Sequence, residues 1–346
     1  MNRQQRVTIK EVAALAGVSV KTVSRAINKE YGVGKDTAEK VKQACLKLGY
    51  QADLSARSLR RADRRTQSIG LVISSVANEF DSVIHAAIEQ VAHERNVMVL
   101  AVSTEDDIER EQDYVQRLMQ RQIDGLIIAS VGANQEWLTG VANTIPVVFI
   151  DRQPTPLIAD AVVSQNYAGA KLAIKHLLAH GHRRIGFIGD LSTIQTAQER
   201  QKGYLDALTE AGITPNPSYH LTNIRNLSGL GKQITALVHA PEPVTAFLAA
   251  RNNLAAEAMR FVTSLRLNDQ VAIVSFDDIE YADLFPTPLT AVAQDVSKIG
   301  TLAAQRIFDR LDGTVTGKPE LIELPVHLIP RGSGEVRAQP TSPLAG

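Results

Sequence analysis

With 346 residues the chain has room for two or three separate hydrophobic cores. Its formal charge of zero at pH 7 conceals a division: residues 1–65 carry fifteen Lys/Arg against six Asp/Glu, a net of +9, so the remainder carries −9. A basic module for a polyanion joined to an acidic soluble domain accounts for that split, and a solvated basic face without a partner is the duller alternative. The single cysteine, Cys45, excludes a disulfide framework and a Cys-based zinc site. On an apolar helical position it reads as a small buried hydrophobe. No run of about 18 apolar residues marks a membrane span. The polar stretch 1–10 does not read as a signal peptide, so a cytoplasmic location without a membrane partner is expected.

Three short helices are predicted in the first fifty residues. Thr8 caps the first, with Glu11 at the capping-box spacing, and Val12, Ala13, Leu15 and Ala16 give it an apolar face. Gly17 breaks it at a tight turn needing positive φ. Ser19 caps a second helix over 20–27, with Val23, Ala26 and Ile27 inward. A third opens at Asp36 or Thr37 and runs to Leu48, burying Val41, Ala44, Cys45 and Leu48, and Gly49 ends it. This is the pattern of a helix-turn-helix head. Val20, Lys21, Thr22, Ser24 and Arg25 lie at the N-terminus or on the outer face of the second helix, where base edges and phosphates would be met. Arg25 suits bidentate bonds to guanine, Lys21 suits them less selectively, and Thr22 and Ser24 suit phosphate oxygens. Thr8 and Ser19, at the two helix N-termini, join these DNA-binding candidates. A plain solvated surface is the alternative for all of them.

Beyond Tyr50 the stretch LSARSLRRADRR is short and strongly basic, with too little apolar surface to hold a helix alone. From Ser68 onward, strand-like runs (SIGLVIS, VMVLAVS, GLIIAS, PVVFID, RRIGFIGD, TAFLAA, VAIVSF and LTAVAQD) alternate with helix-period stretches such as 81–95, 108–121, 168–180 and 197–211. That alternation predicts doubly wound parallel sheets, so the fold class is α/β with a small all-α head.

The run VTIKEVAALAGVSVKTVSRAINKEYGVGKDTAEKVKQACLKLGYQAD closely resembles the head of the lactose/galactose-repressor (LacI/GalR) family, with Glu11 and Ala26-Ile27 as its departures. The resemblance extends over the whole chain. It implies a transcriptional regulator, with Val20 and Lys21 on the pair that distinguishes operators and Thr22, Ser24, Arg25 and Asn28 on fixed contacts. It further implies a hinge helix that orders on DNA, Leu59 wedging into the minor groove after Ala56, and Arg57, Arg60 and Arg61 meeting phosphates. Ala52-Asp53 departs from the family's Pro-Asn, although Asp53 can still cap a helix; a flexible basic linker is the alternative. The implied division is a head over 1–50, a hinge over 51–66, and a two-lobed periplasmic-binding-protein-like domain over 67–346. One lobe takes 67–164 and 295–324 and the other 165–294 and 325–340, with crossovers near Ser164, Gln294 and Leu324.

In such a fold an effector sits at the carboxyl ends of the strands. The candidates are Ser75 (beside Ser74), Asn78, Phe80, Asp151, Arg200, Arg251 and Asp277, and each strand-end acid can also be read as a helix cap. Glu79 replaces the family's proline, and Arg251-Asn252 replaces its Asn-Asp pair. Facing the cleft, Arg251 would favour an anionic ligand. The effector class is a sugar or sugar derivative first, a nucleoside or purine second. A homodimer on a near-palindromic operator is expected, without cofactor, leucine heptads or bound metal. His176, His180 and His182 lack a third ligand at zinc spacing and read instead as helix C-terminal residues. A transport receptor would need a signal peptide, and an enzyme a nucleophile or base with a defined partner; neither reading explains the basic head.

Overall fold

The computed structural model describes residues 7–28, 31–50, 65–132, 134–224 and 227–339. The chain forms two compact units, residues 1–66 and 67–346. In the first, α1 (Ile9–Ala16), α2 (Val20–Ile27) and α3 (Lys35–Leu48) pack around Val12, Ala13, Val23, Val41 and Ala44. The Thr8 amide and hydroxyl both donate to the Glu11 carboxylate, at 2.7 and 2.8 Å, and these bonds hold Glu11 below the usual carboxylate range. Gly17 takes φ 65°, and Val18 N–H returns to the Ala13 carbonyl at 3.1 Å. That backbone is costly for any residue with a Cβ. The third helix begins at Lys35 rather than Asp36 or Thr37, because the extended backbone of Gly34 (φ −64°, ψ 149°) already serves as its N-cap. Leu15, expected inward, is 45% exposed; it lies about 110° round the helix from the centre of the Val12/Ala13 stripe. Cys45 is half-buried on the rim of this core, and burial pushes its thiol pKa up. The hinge candidates Ala56, Arg57, Leu59, Arg60 and Arg61 lie outside the described residues.

The second unit holds β1 (Ser68–Ile73), α4 (Glu79–Glu94), β2 (Met98–Ser103), α5 (Ile108–Gln120), β3 (Gly125–Ile128), α6 (Thr139–Ala142), β4 (Val147–Ile150) and β5 (Asp160–Ser164). It continues through α7 (Asn166–Ala179), β6 (Ile185–Ile188), α8 (Gln195–Glu210), β7 (His220–Leu221), α9 (Leu230–Val238), β8 (Ala246–Ala249), α10 (Asn252–Ser264) and β9 (Ala272–Phe276). Last come β10 (Thr290–Ala293), α11 (Val296–Asp312), β11 (Leu321–Leu324) and β12 (His327–Ile329). One sheet has the order β2-β1-β3-β4-β5-β11, parallel throughout, and the other β7-β6-β8-β9-β10-β12, with only β12 antiparallel. The central strands are buried at every position, as befits parallel sheets covered on both faces. The chain passes between sheets at 164–166, 293–296 and 324–327. Helix α11 thereby returns Ile299, Ala303, Ile307 and Phe308 to the core of the first lobe.

Four strands were absent from the runs read in the sequence. β7, β11 and β12 are short edge strands, and β5 begins with a charged residue, Asp160. Asp160 is nonetheless buried, because Arg310 Nε and Nη2 donate to its two oxygens at 2.7 and 2.9 Å and Glu320 N–H adds a third bond at 2.8 Å. This carboxylate ties α11 and the approach to β11 onto β5. In each sheet the strand order reverses beside the first strand of its lobe, between β1 and β3 and between β6 and β8, which opens a crevice at the strands' carboxyl ends. Among the described residues no helix is long and apolar enough to cross a membrane.

Replacing Asp160 by alanine strands the Arg310 guanidinium in a largely buried site. It is expected to cost about 3 kcal/mol, read as a lower urea midpoint for the large unit. An unchanged midpoint would show that this ion pair does not hold β5 to β11.

Candidate functional site

On the head, Val20, Lys21 and Arg25 are exposed along α2, while Thr22, Ser24 and Asn28 are half-buried. Ser19 Oγ accepts from Thr22 N–H at 3.1 Å and lies 2.9 Å from Thr22 Oγ1, so these two hydroxyls fix the start of the helix. Thr8 is likewise engaged with Glu11. The exposed face of α2 thus presents Val20 and Lys21 in its first turn and Arg25 in its last turn on a firmly capped helix.

Within the large unit two adjoining cavities lie between the lobes, an outer one of about 610 Å³ and an inner one of about 50 Å³. All seven candidate cleft residues line one or both: Ser75 the outer, Phe80, Asp151, Arg200 and Asp277 the inner, Asn78 and Arg251 both. Their convergence follows from topology. Ser74 and Ser75 follow β1, Asp151 follows β4, Arg251 follows β8 and Asp277 follows β9. Asp151 and Asp277 occupy equivalent strand ends in the two lobes, and both take left-handed backbone (φ 62° and 71°). Such backbone is uncommon and mildly strained for a non-glycine residue, and it gathers at functional sites.

The charged groups are held by one another. Arg200 sits in the second lobe with its guanidinium 3.8 Å above the Phe276 ring. Its Nε donates to Asn166 Oδ1 at 2.8 Å, its Nη1 donates to the Ala250 carbonyl at 2.7 Å, and Asp277 Oδ2 lies 3.5 Å away. Gly203, one turn along α8, makes this possible: a Cβ there would stand 2.4 Å from the Tyr167 carbonyl oxygen of α7, so only glycine lets the helices close. Asp277 also accepts from Gln294 Nε2 at 2.5 Å. In the first lobe Arg152 donates to Asp106 at 2.9 Å and lies 3.4 Å from Asp151. Burial pushes the Asp151 carboxyl up, although Arg152 and Arg200 pull the other way. Burial also favours a protonated Asp106, but the Arg152 and Arg251 guanidiniums outweigh it and hold Asp106 below its ordinary value. Asp81, in the wall of the inner cavity and accepting from Ser75 N–H at 2.9 Å, is pushed up to about 7 by burial.

Arg251 faces the cleft. Its Nη1 donates to Asp190 Oδ2 at 2.6 Å and stands 3.8 Å from Asp106 of the opposite lobe. The charge that would favour an anionic ligand is therefore already claimed. Other contacts span the lobes directly. Asn78 and Asn252 exchange amide bonds at 3.3 and 3.4 Å, Glu280 N–H donates to Glu79 at 2.8 Å, and Gln153 N–H donates to Gln195 at 3.0 Å.

Reasoning from sequence missed Asp81, Asp106, Arg152 and Asp190. A signal existed for Asp190, which ends RRIGFIGD as Asp151 ends PVVFID, and Arg152 stands beside Asp151. Asp106 lies in an acidic turn after β2, where Glu105 and Asp106 take φ 53° and 54°, and nothing in the alternating pattern marks it. The three histidines contact the C-terminal segment. His176 Nε2 meets Glu335 at 2.6 Å, His182 Nε2 lies 2.7 Å from the Val336 carbonyl, and the His180 carbonyl accepts from Ala338 N–H. Among the described residues no group of three His, Cys, Asp or Glu could hold a metal ion.

Comparison with known proteins agrees with both units. Residues 8–53 match the family described as bacterial regulatory proteins, lacI family, and residues 174–334 match a periplasmic binding protein-like domain. A probable HTH-type transcriptional regulator, EndR of Paenibacillus polymyxa, is 31% identical over 92% of this chain and 94% of its own. The ribose operon repressor of Haemophilus influenzae is 31% identical over 88% of this chain and 92% of its own. The solved lac repressor dimer bound to operator and the anti-inducer ONPF superposes with a TM-score of 0.80 at 26% identity, covering 95% of this chain and 99% of that one. The chain therefore belongs to the lacI family of bacterial regulatory proteins, DNA-binding transcriptional regulators under effector control.

Proposed function

We propose that the protein is a homodimeric repressor that binds a near-palindromic operator, one head per half-site, and that a sugar or sugar derivative held between the lobes adjusts its DNA affinity. The observation that carries this reading is the convergence of carboxylates and guanidiniums from both lobes on one cleft. Ligand hydroxyls can donate to Asp277 and Asp151 and accept from Arg200, so a polyol there is bonded to both lobes at once. The likeness to a ribose operon repressor supports a sugar. A stacked nucleobase is less well served, since Phe80 is the one aromatic side chain among the described cavity-lining residues.

In this reading Val20, Lys21 and Arg25 read base edges, while Thr8, Ser19, Thr22, Ser24 and Asn28 set the register on the backbone. Ala56, Arg57, Leu59 and Arg60 enter on family resemblance alone, as a minor-groove hinge. The effector shifts operator affinity by a coupling free energy of about 1–3 kcal/mol, a change of roughly 5- to 150-fold.

Fluorescence anisotropy on the upstream DNA of its own gene, at fixed salt and with a panel of sugars, sugar acids and nucleosides, tests the proposal. One compound is expected to alter tight, sequence-specific binding. Arg25→Ala is expected to weaken operator binding by about 1–3 kcal/mol, roughly 5- to 150-fold, and Asp277→Asn to raise the half-effective concentration of the compound at least about tenfold. Binding no stronger than to unrelated DNA, with or without ligand, would contradict the reading.

The cleft also titrates. Because burial raises Asp81 to about 7 in the folded chain, the folded state holds a proton there that the unfolded chain releases near its ordinary value of 3.8. This contribution therefore falls as pH rises through 7. Asp81→Asn is expected to flatten the decline in urea midpoint between pH 5 and 8, and an unaltered slope would assign the decline to other groups.

A further inference from the structure

Resting on the reading of the cleft as the effector site, we propose that Asp190 acts as a charge filter. By occupying the Arg251 guanidinium it makes the cleft accept uncharged, hydroxyl-rich effectors and reject those bearing a carboxylate or phosphate. Among the described residues, seven carboxylates and three guanidiniums line the two cavities. Each guanidinium already has an acid beside it: Arg152 has Asp106 at 2.9 Å, Arg200 has Asp277 at 3.5 Å, and Arg251 has Asp190 at 2.6 Å. Burial pushes Asp81 and Asp151 toward their protonated forms, but the remaining carboxylates still outnumber the guanidiniums, so an entering anion would meet a surplus of negative charge and would have to displace a bound carboxylate to reach a cation.

The Asp190–Arg251 pair is decisive because it is both short and fixed. The second Asp190 oxygen accepts from Leu191 N–H at 2.8 Å, so the carboxylate is held in place at the end of β6. Burial works against the Arg251 charge, but the Asp190 carboxylate outweighs it and raises the pKa of the guanidinium. Asp106, 3.8 Å from Arg251 across the cleft, is itself bound by Arg152 and by Ser74 Oγ at 3.0 Å. A neutral polyol needs none of these pairs broken, since the spare carboxylate lone pairs accept its hydroxyl protons. Arginine at position 251, read alone, suggests an anionic ligand; the Asp190 carboxylate beside it reverses that selectivity.

The test uses the full-length protein and inorganic sulfate as a probe of an unmasked guanidinium. Calorimetric titration of the unaltered chain, Asp190→Asn, and Asp190→Asn combined with Arg251→Gln isolates binding that depends on Arg251 from binding to the basic head. The Asp190→Asn protein is expected to gain a saturable sulfate site at least tenfold tighter than any in the unaltered chain, and the double variant to lose it. Equal sulfate binding by the unaltered and Asp190→Asn proteins would overturn the filter. Should Asp190→Asn not fold, the unaltered protein still decides through matched pairs, glucose against glucuronate and galactose against galacturonate. Preference for the neutral member supports the filter, and tighter binding of either acid overturns it. If no sugar of either kind binds, the sugar reading of the cleft fails, and the sulfate titration separately decides whether Asp190 masks Arg251.

Discussion

Opposed charges gather where the carboxyl ends of the two sheets meet, paired mostly within each lobe and joined across the gap by Arg251 and Asp106, and most of what is distinctive in the large unit depends on keeping them there. Removing several carboxylates and guanidiniums from water is costly unless each is paired and hydrogen-bonded. Here Asp106 is bound to Arg152, Asp190 to Arg251, and Asp277 to Gln294 with Arg200 close by. The pairing is incomplete, since among the described lining residues acids outnumber arginines. That surplus leaves acceptor lone pairs facing the cavity, which is the chemistry a hydroxylated ligand requires.

The fold supplies the geometry in a few identifiable ways. Both sheets reverse strand order beside their first strand, so the carboxyl ends open onto one crevice. Asp106, Asp151 and Asp277 sit in left-handed backbone just beyond their strands, a local cost offset by the bonds their side chains make. Gly203 lets α8 approach α7 closely enough for Arg200 to reach Asn166. The three passages between sheets bring α11 back under the first lobe, where Arg310 and Asp160 fasten it to β5.

The alternation of apolar runs with amphipathic stretches made the doubly wound architecture legible, because buried parallel strands leave near-continuous hydrophobic segments. The head was legible for a different reason: Thr8, Gly17, Ser19 and Gly49 each mark a helix end by a specific backbone or capping requirement. Edge strands such as β11 and β12 carry too few buried residues to stand out, and β5 hides behind a charged first residue. Arg251 shows the limit most clearly. Its identity is plain in the sequence, but the neutralising carboxylate lies 61 positions away and only the fold brings the two together.

Contacts such as Asn78 to Asn252 and Asp106 to Arg251 already join the lobes, so a ligand between them must replace or extend bonds made by both. Hydrogen–deuterium exchange on the full chain, with and without a compound that alters operator binding, tests this most directly. Protection is expected together at the strand ends of both lobes, around residues 74–81, 105–107 and 151–153 in one and 190–191, 250–253 and 277–280 in the other. Protection confined to one lobe, or falling away from these strand ends, would contradict a ligand held between them.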